Sequence, residues 1–429
     1  MSESRRPTVF SNRSFTLLVS GSFVSMLGDQ FTLIALPWLV LQLTGDPAAL
    51  GAVLAMMALP RAAFMLIGGA VVDRLSPRRV LLVARGANAL LIALLAAGVL
   101  TGMLHMASLY VLALLIGLAT AFVYPAGSAI LPQLVDSDQL GAANSFTMGL
   151  RQLSMFIGPA LAGGVIALMA GRPETGQAVD DARGIGIAFV VDAVSFLFSL
   201  GTLMLIRIRA DHEPPRAATG VLKSVAEGIG TIWRDLPLRA FVLYIGAVAI
   251  FVAGPVQVGL PVLAKTRLDG GAASFGILMT AHGGGILVGT ALSGIFARRL
   301  TPWLGRLVLM LDSLAGLGLA TLALVHHTTT GAALMVLMGA FAGFVQVAVF
   351  TWIQRRVPME LMGRAMSVLM FTFLGLAPLS AAVAGVVMRY VGLGHLLAGA
   401  GLGLTVIALS CFASRNLRSI GQPHPEAAG

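Results

Sequence analysis

The sequence predicts an all-α membrane protein: twelve transmembrane helices in two pseudo-symmetric six-helix bundles. Three observations predict it. Of 429 residues, 57% are hydrophobic and 11% are charged, with a mean hydropathy of +0.92, whereas a soluble domain carries roughly 25% charged residues. Apolar runs of the roughly 20 residues needed to cross a bilayer recur along the whole chain. Finally, Gly69-Ala-Val-Val-Asp73-Arg74-Leu75-Ser76-Pro77-Arg78-Arg79, where an apolar run meets water, has a degraded copy in Gly294-Ile-Phe-Ala-Arg298-Arg299-Leu300-Thr301-Pro302.

In the first half the apolar runs fall near 15–43, 48–72, 80–101, 107–131, 144–170 and 185–206. In the second they fall near 240–264, 272–297, 304–325, 331–353, 366–389 and 392–414. The first run follows a basic, polar start and lacks an Ala-x-Ala-type cleavage site, so it is read as a retained span. The halves also match at Leu36-Pro37 with Leu260-Pro261, and at Val135 to Ser145 with Val357 to Ser367, all at offsets of 222 to 225 residues. The polar stretch 207–239, with Pro214-Pro215, reads as a cytoplasmic linker in which 221–233 forms an amphipathic surface helix. The expected organisation is an amino-terminal bundle (1–206), the linker (207–239), a carboxy-terminal bundle (240–414) and a tail (415–429). Two six-span repeats related by an axis along the membrane normal are a known transporter architecture.

Small residues suit helix contacts in lipid, and Gly158-Pro159-Ala-Leu-Ala162-Gly163-Gly164 and Gly399-x-x-x-Gly403 are read as packing surfaces. Orientation follows from the basic residues. Sorted by loop parity, 21 of the 28 Lys and Arg lie on the side of both termini, five lie on the other side, and Arg61 and Arg151 fall within spans. The positive-inside rule then puts both termini in the cytoplasm of a cell-membrane protein. The net charge of +10 is explained by this topology and by anionic membrane lipids as partners, without a nucleic-acid partner.

Composition and motifs exclude other classes. The single cysteine, Cys411, allows no intramolecular disulfide and supplies no metal or thiol chemistry. The chain lacks a Gly-x-x-x-x-Gly-Lys-Ser/Thr phosphate loop, so ATP is not the expected energy source. With neither a nucleophile triad nor a metal-ligand set in view, the chain is read as no enzyme, without metal or cofactor. The paired His326-His327 is placed at an outer loop, solvated. Protons and a small-molecule substrate are the expected partners, and the chain is expected to act as a monomer.

Gly69-x-x-x-Asp73-Arg74-x-x-x-Arg78-Arg79 resembles the signature loop of the major facilitator superfamily, and the resemblance covers essentially the whole chain. Gly28-Asp29-Gln30-Phe31, Leu36-Pro37-Trp38, Tyr124-Pro125-Ala126 and Asn144-Ser145 resemble its drug:proton antiporter branch, which includes macrolide-efflux proteins and the enterobactin exporter. Gly158-Pro159-x-x-Ala162-Gly163 is similar to the fifth-span motif of exporters. The resemblance implies the major facilitator fold and proton-coupled export of amphipathic small molecules by alternating access. The same fold also suits a lipid or lysolipid flippase, or a receptor that binds without net flux.

Three departures bear on that expectation. Ser76 stands where the family loop has glycine, which predicts a tighter or strained turn. The fourth span has no arginine near Ala113, where many proton-coupled exporters place one. The second loop copy has Arg298 in place of Asp73, so only the first can act as an anionic latch. That latch would set Asp73 against the helix beginning near Gly363, worth roughly 0.3–1 kcal/mol at a helix N-terminus, with Arg364 adding a charge-assisted hydrogen bond. Arg74, Arg78 and Arg79 would hold the loop and meet lipid.

Ionisable groups inside a bilayer are costly and point to mechanism. Asp29 lies near the middle of the first span, and Arg61 is placed at a similar depth on the second. The two form a structural lock, or Asp29 faces the cavity and carries a proton, or it is a satisfied structural carboxyl. Arg151 is read as reaching the cytoplasmic face, or as the cation that replaces the missing fourth-span arginine. Asp192 and Asp312 are read as hydrogen-bonding between neighbouring helices or as secondary proton carriers, and His282 as packed and neutral. Met26, Tyr124, Gln257, Gln346 and Phe350, from spans 1, 4, 7 and 10, are the expected cavity residues, soft enough for varied amphiphiles.

Overall fold

The computed structural model of the chain describes residues 9–169, 182–206, 230, 232–357 and 359–421. Most of the linker, with its expected surface helix, lies outside the described residues. So do the surroundings of Gly69, Asp73, Arg74, Gly363 and Arg364, and with them the expected latch.

Eleven of the described helices are long and apolar enough to cross a membrane. Spans 1 to 3 are Arg13–Thr44, Pro47–Leu75 and Pro77–Leu100. Span 4 is Met106–Ala121 continued by Val123–Ile130, spans 5 and 6 are Leu140–Met169 and Ala182–Leu205. Spans 7 to 10 are Leu236–Arg267, Gly271–Leu300, Leu304–Leu322 and Thr328–Arg356. The stretch Met359–Cys411 is two helices that meet at Gly392, whose φ of 78° ends one and starts the next. These are spans 11 and 12, so the described chain carries twelve.

The chain divides into two compact units: residues 1–39 with 56–218, and residues 40–55 with 219–429. Each has its own apolar core. In the first, Phe15, Leu81, Ile130 and Leu203 are fully buried. In the second, Phe241 and Trp352 meet edge to face at 5.7 Å within a cluster that includes Ile353 and Leu417.

Glycine allows the closest helix contacts, as lipid offers no apolar driving force of its own. Spans 8 and 10 interlock through Gly285 and Gly289 on one helix and Gly339 and Gly343 on the other, each set against the partner's backbone. Span 12 departs from its expected packing surface. Gly401 meets Gly316 of span 9 and Gly403 meets the Phe251 ring, while Gly399 faces open space. The contact is made by the glycine between the two predicted ones, because the face turned to span 9 is set by the helix rotation that buries Leu404 and Ala408.

The short loop between spans 2 and 3 is built around Ser76, which holds a φ of 70°. Its hydroxyl caps span 3 by accepting from the Arg79 backbone N–H at 3.4 Å, and Pro77 supplies the first helical φ. Arg78 reaches back to the end of span 6, where it donates to the Met204 carbonyl at 2.7 Å. A cation there satisfies an orphan carbonyl at a negative helix end.

Candidate functional site

Span 1 carries Gly21, Ser22, Ser25, Gly28, Asp29 and Thr32 at steps of three, four and seven residues, which places them on one side of the helix. The two glycines bring its backbone against span 6. A Cβ at Gly21 would collide with Thr202, and one at Gly28 with Ser195 and Asp192. Through that close approach Thr32 donates its hydroxyl hydrogen to Asp192, which is fully buried. Ser195 bridges back by donating to the Asp192 carbonyl at 2.7 Å.

Span 3 adds the cation. Arg85 is 4% exposed, and its guanidinium donates to the hydroxyls of Ser199 on span 6 and Ser22 on span 1, the latter at 2.9 Å. One turn further on, Asn88 is fully buried and accepts from Thr120 of span 4 at 3.4 Å. Two donors of this cluster, Arg85 Nε and Asn88 Nδ2, are buried without an acceptor. Sorting by loop parity had counted Arg85 with the cytoplasmic cations. The structure corrects that, because two turns of span 3 precede it and the hydroxyls of spans 1 and 6 solvate its charge.

Asp29 is exposed, although its neighbour Gly28 is buried. Among the described residues it makes no ion pair. Arg85, Arg61 and Arg151 all act on it electrostatically, Arg85 most strongly. The lock between Asp29 and Arg61 is therefore not formed in this structure, and Arg61 stays half-buried on span 2. Arg151 is exposed and lies over the Tyr124 ring, 5.9 Å from its centre, so two residues predicted separately come together as a cation–π pair. Met26 is half-buried on span 1.

The exporter-type motif packs against the same helix. Gly158, Pro159 and Gly163 of span 5 are buried, and a Cβ at Gly158 would overlap the Gln30 side chain, next to Asp29. At the start of span 1, Val9, Phe10, Phe15, Phe146, Leu150 and Leu153 line an open apolar pocket of about 510 Å³, with the Phe10 and Phe146 rings edge to face at 4.8 Å. Arg79 is exposed at the start of span 3.

The second unit repeats the scaffold with other chemistry. Tyr244 of span 7 donates its hydroxyl hydrogen to Asp312 of span 9 at 2.7 Å. Tyr244 follows Ser22 at an offset of 222, within the repeat, while Asp312 has Ala87 as its counterpart at the offset of 225 set by Pro77 and Pro302. Gln257 and Gln346 are exposed and Phe350 half-buried. His282 is half-buried on span 8, with Nδ1 lacking a partner. His327 stands at the N-cap position of span 10 without a side-chain capping bond, and His326 Nδ1 lies 2.9 Å from the Leu324 carbonyl. The segment 40–55 belongs to this unit. Gly51 and Gly385 take the backbones of Ala381 and Pro47, Lys265 donates to the Leu41 carbonyl, and Arg389 approaches Asp46 at 3.8 Å.

Among the described residues no group of three or more His, Cys, Asp or Glu is placed to hold a metal ion. The profile of the Major Facilitator Superfamily matches residues 18–382. The multidrug efflux pump Tap of Mycolicibacterium fortuitum is 28% identical over 409 residues, 92% of this chain and 91% of that protein. Macrolide efflux protein A of Streptococcus pyogenes is 24% identical over 416 residues, 95% of this chain and 97% of that protein. Among solved structures, the nucleoside transporter NupG matches with a TM-score of 0.73 at 15% identity, over 93% of this chain and 99% of that one. A bacterial homologue of the iron transporter ferroportin matches with a TM-score of 0.68 at 18% identity, over 94% and 99%.

Proposed function

This chain belongs to the major facilitator superfamily, and we propose that it is a proton-coupled exporter of amphipathic small molecules working by alternating access. It is a multi-pass membrane protein with the all-α fold of that family. The observation that carries the proposal is Asp29, an exposed carboxyl near the middle of a 32-residue span. Three arginines act on it, and among the described residues none forms an ion pair with it. A carboxyl at membrane depth without a bound cation can take up and release a proton, while one locked in an ion pair cannot.

The relatives named as multidrug and macrolide efflux pumps support export and an amphipathic cargo. The side chains open on the first unit, Asp29, Tyr124 and Arg151, suit a ligand with both apolar and polar parts. Protons supply the energy, and both termini face the cytoplasm by the distribution of basic residues.

The test is efflux of ethidium and of radiolabelled erythromycin from proteoliposomes holding the purified chain, with and without an imposed pH gradient. Efflux accelerated by the gradient supports the proposal, and efflux indifferent to it refutes proton coupling. A second reading, movement of a lipid or lysolipid, is favoured by the open apolar pocket lined by Phe10, Phe15 and Phe146. Transfer of a labelled lysolipid between leaflets, without efflux of either drug, would select it.

A further inference from the structure

Arg85 has more donors than its surroundings use. Its two terminal nitrogens are held by Ser199 and Ser22, while Nε is buried with no acceptor. A buried unsatisfied donor costs about 1–3 kcal/mol, more when it is charged. Guanidinium also demands an anion when taken out of water, and among the described residues Arg85 makes no ion pair. The scaffold therefore holds a cation in place for a partner that is elsewhere in this state.

Asp29 is the carboxyl placed to be that partner. It lies seven residues beyond Ser22, two turns further along the same side of span 1, a rise of about 10 Å. Side chains on a helix lean toward its N-terminus, so the Asp29 carboxyl leans toward the level of Ser22 and the guanidinium bound to it. The other charged groups facing Asp29 are less suited. Arg151 is engaged by the Tyr124 ring, and Arg61 reaches it from span 2 with less effect than Arg85. Asp192 stands across Gly28 with its carboxyl taken by Thr32 and Ser195.

We propose that Arg85 is the positioning residue for Asp29: the ionised carboxylate docks on Arg85 Nε, and the protonated carboxyl is released to the exposed face. The only bond made or broken is the carboxyl O–H, and the proton is exchanged with water there. A third-span cation thereby takes the place of the fourth-span arginine that is missing near Ala113. The inference rests on the proton-coupled reading, but it concerns the pair of side chains and can be tested without any cargo.

The experiment is infrared difference spectroscopy of the purified full chain in bilayers, titrated with pH. The carboxyl band lost in Asp29→Asn identifies Asp29. In Arg85→Gln its midpoint is expected to move by about one pH unit or more, a tenfold change in proton affinity. Arg85→Lys should restore about half of that displacement or more, and Thr321→Ala, exposed on span 9 of the second unit, should leave the midpoint in place. If Arg85→Gln does not assemble, Ser22→Ala removes one anchor, keeps the charge, and should move the midpoint in the same sense by a smaller amount. A midpoint unchanged in Arg85→Gln, or in Ser22→Ala where that variant replaces it, overturns the inference. Failure of gradient-driven efflux with a displaced midpoint would instead refute proton coupling of transport and leave the pair standing.

Discussion

Asn12 and Asp235 stand 223 residues apart and fasten the first helix of each half in the same way. Asn12 caps span 1 by accepting from the Ser14 and Phe15 N–H groups at 3.0 and 3.2 Å, and it donates to the Leu134 carbonyl just beyond span 4. Asp235 caps span 7 by accepting from the Leu238 N–H at 3.1 Å, and its two oxygens accept from Arg356, the last residue of span 10, at 2.6 and 3.0 Å. The repeat has kept the geometry and replaced an amide by a charge pair, which also stacks Arg356 over Trp352 at 5.7 Å.

Asp235→Asn should therefore keep the cap and lose only the ion pair, at a cost of about 1–3 kcal/mol because the pair is bidentate and mostly buried. Asp235→Ala loses both, and should cost about 1 kcal/mol more. Thermal unfolding in detergent checks this, and an Asn variant as unstable as the Ala variant would contradict it.

Ser76 holds a backbone conformation that favours glycine, with φ at 70°. Such strain amounts to about 1–3 kcal/mol. Ser76→Gly is expected to raise stability, since the cap it forfeits is a long 3.4 Å bond, and glycine is itself a fair capping residue. Ser76→Ala keeps the strain, loses the cap and should melt below the native chain. The order Gly above Ser above Ala in melting temperature is the expected outcome.

Gly28→Ala places a methyl group against Ser195 and Asp192. It should destabilise the first unit by about 1–3 kcal/mol as overpacking does. Gly149→Ala, on span 5 with nothing within 4 Å of the added carbon, should be neutral or stabilising by up to about 1 kcal/mol from helix propensity. Equal melting temperatures for the two variants would contradict the close approach of spans 1 and 6.

Tyr244→Phe leaves the Asp312 carboxyl without its 2.7 Å donor. A loss of about 1–3 kcal/mol in stability is expected, with the dependence of efflux on the pH gradient retained. Loss of that dependence in a stable variant would move proton coupling to the second unit.

These contacts show how far local sequence reaches. Hydropathy alone gave the spans, since a bilayer imposes length and composition on each helix, and the offset repeat gave the two halves. Asp29 stood out because a carboxyl in an apolar run has few innocent explanations. Arg85 did not, because it lies close enough to the end of its span to pass for a loop cation. The signal that could have found it is the set of small hydroxyl residues, Ser22 and Ser199, on the spans that flank it. Whether Asp29 meets Arg61, Arg85 or Arg151 depends on helix rotation and depth, which hydropathy does not specify. The division of the last two spans at Gly392 rests on one backbone angle, and glycines are too common here for the sequence to single it out.

The measurement that tests the central claim most directly is gradient-driven efflux from proteoliposomes, compared between the native chain and Asp29→Asn. Native efflux should rise with an inward proton gradient. In Asp29→Asn that acceleration should fall by at least about tenfold, as expected when a proton-carrying group is removed, while exchange of substrate without a gradient persists. Full acceleration in a correctly folded Asp29→Asn chain would show that the proton is carried elsewhere.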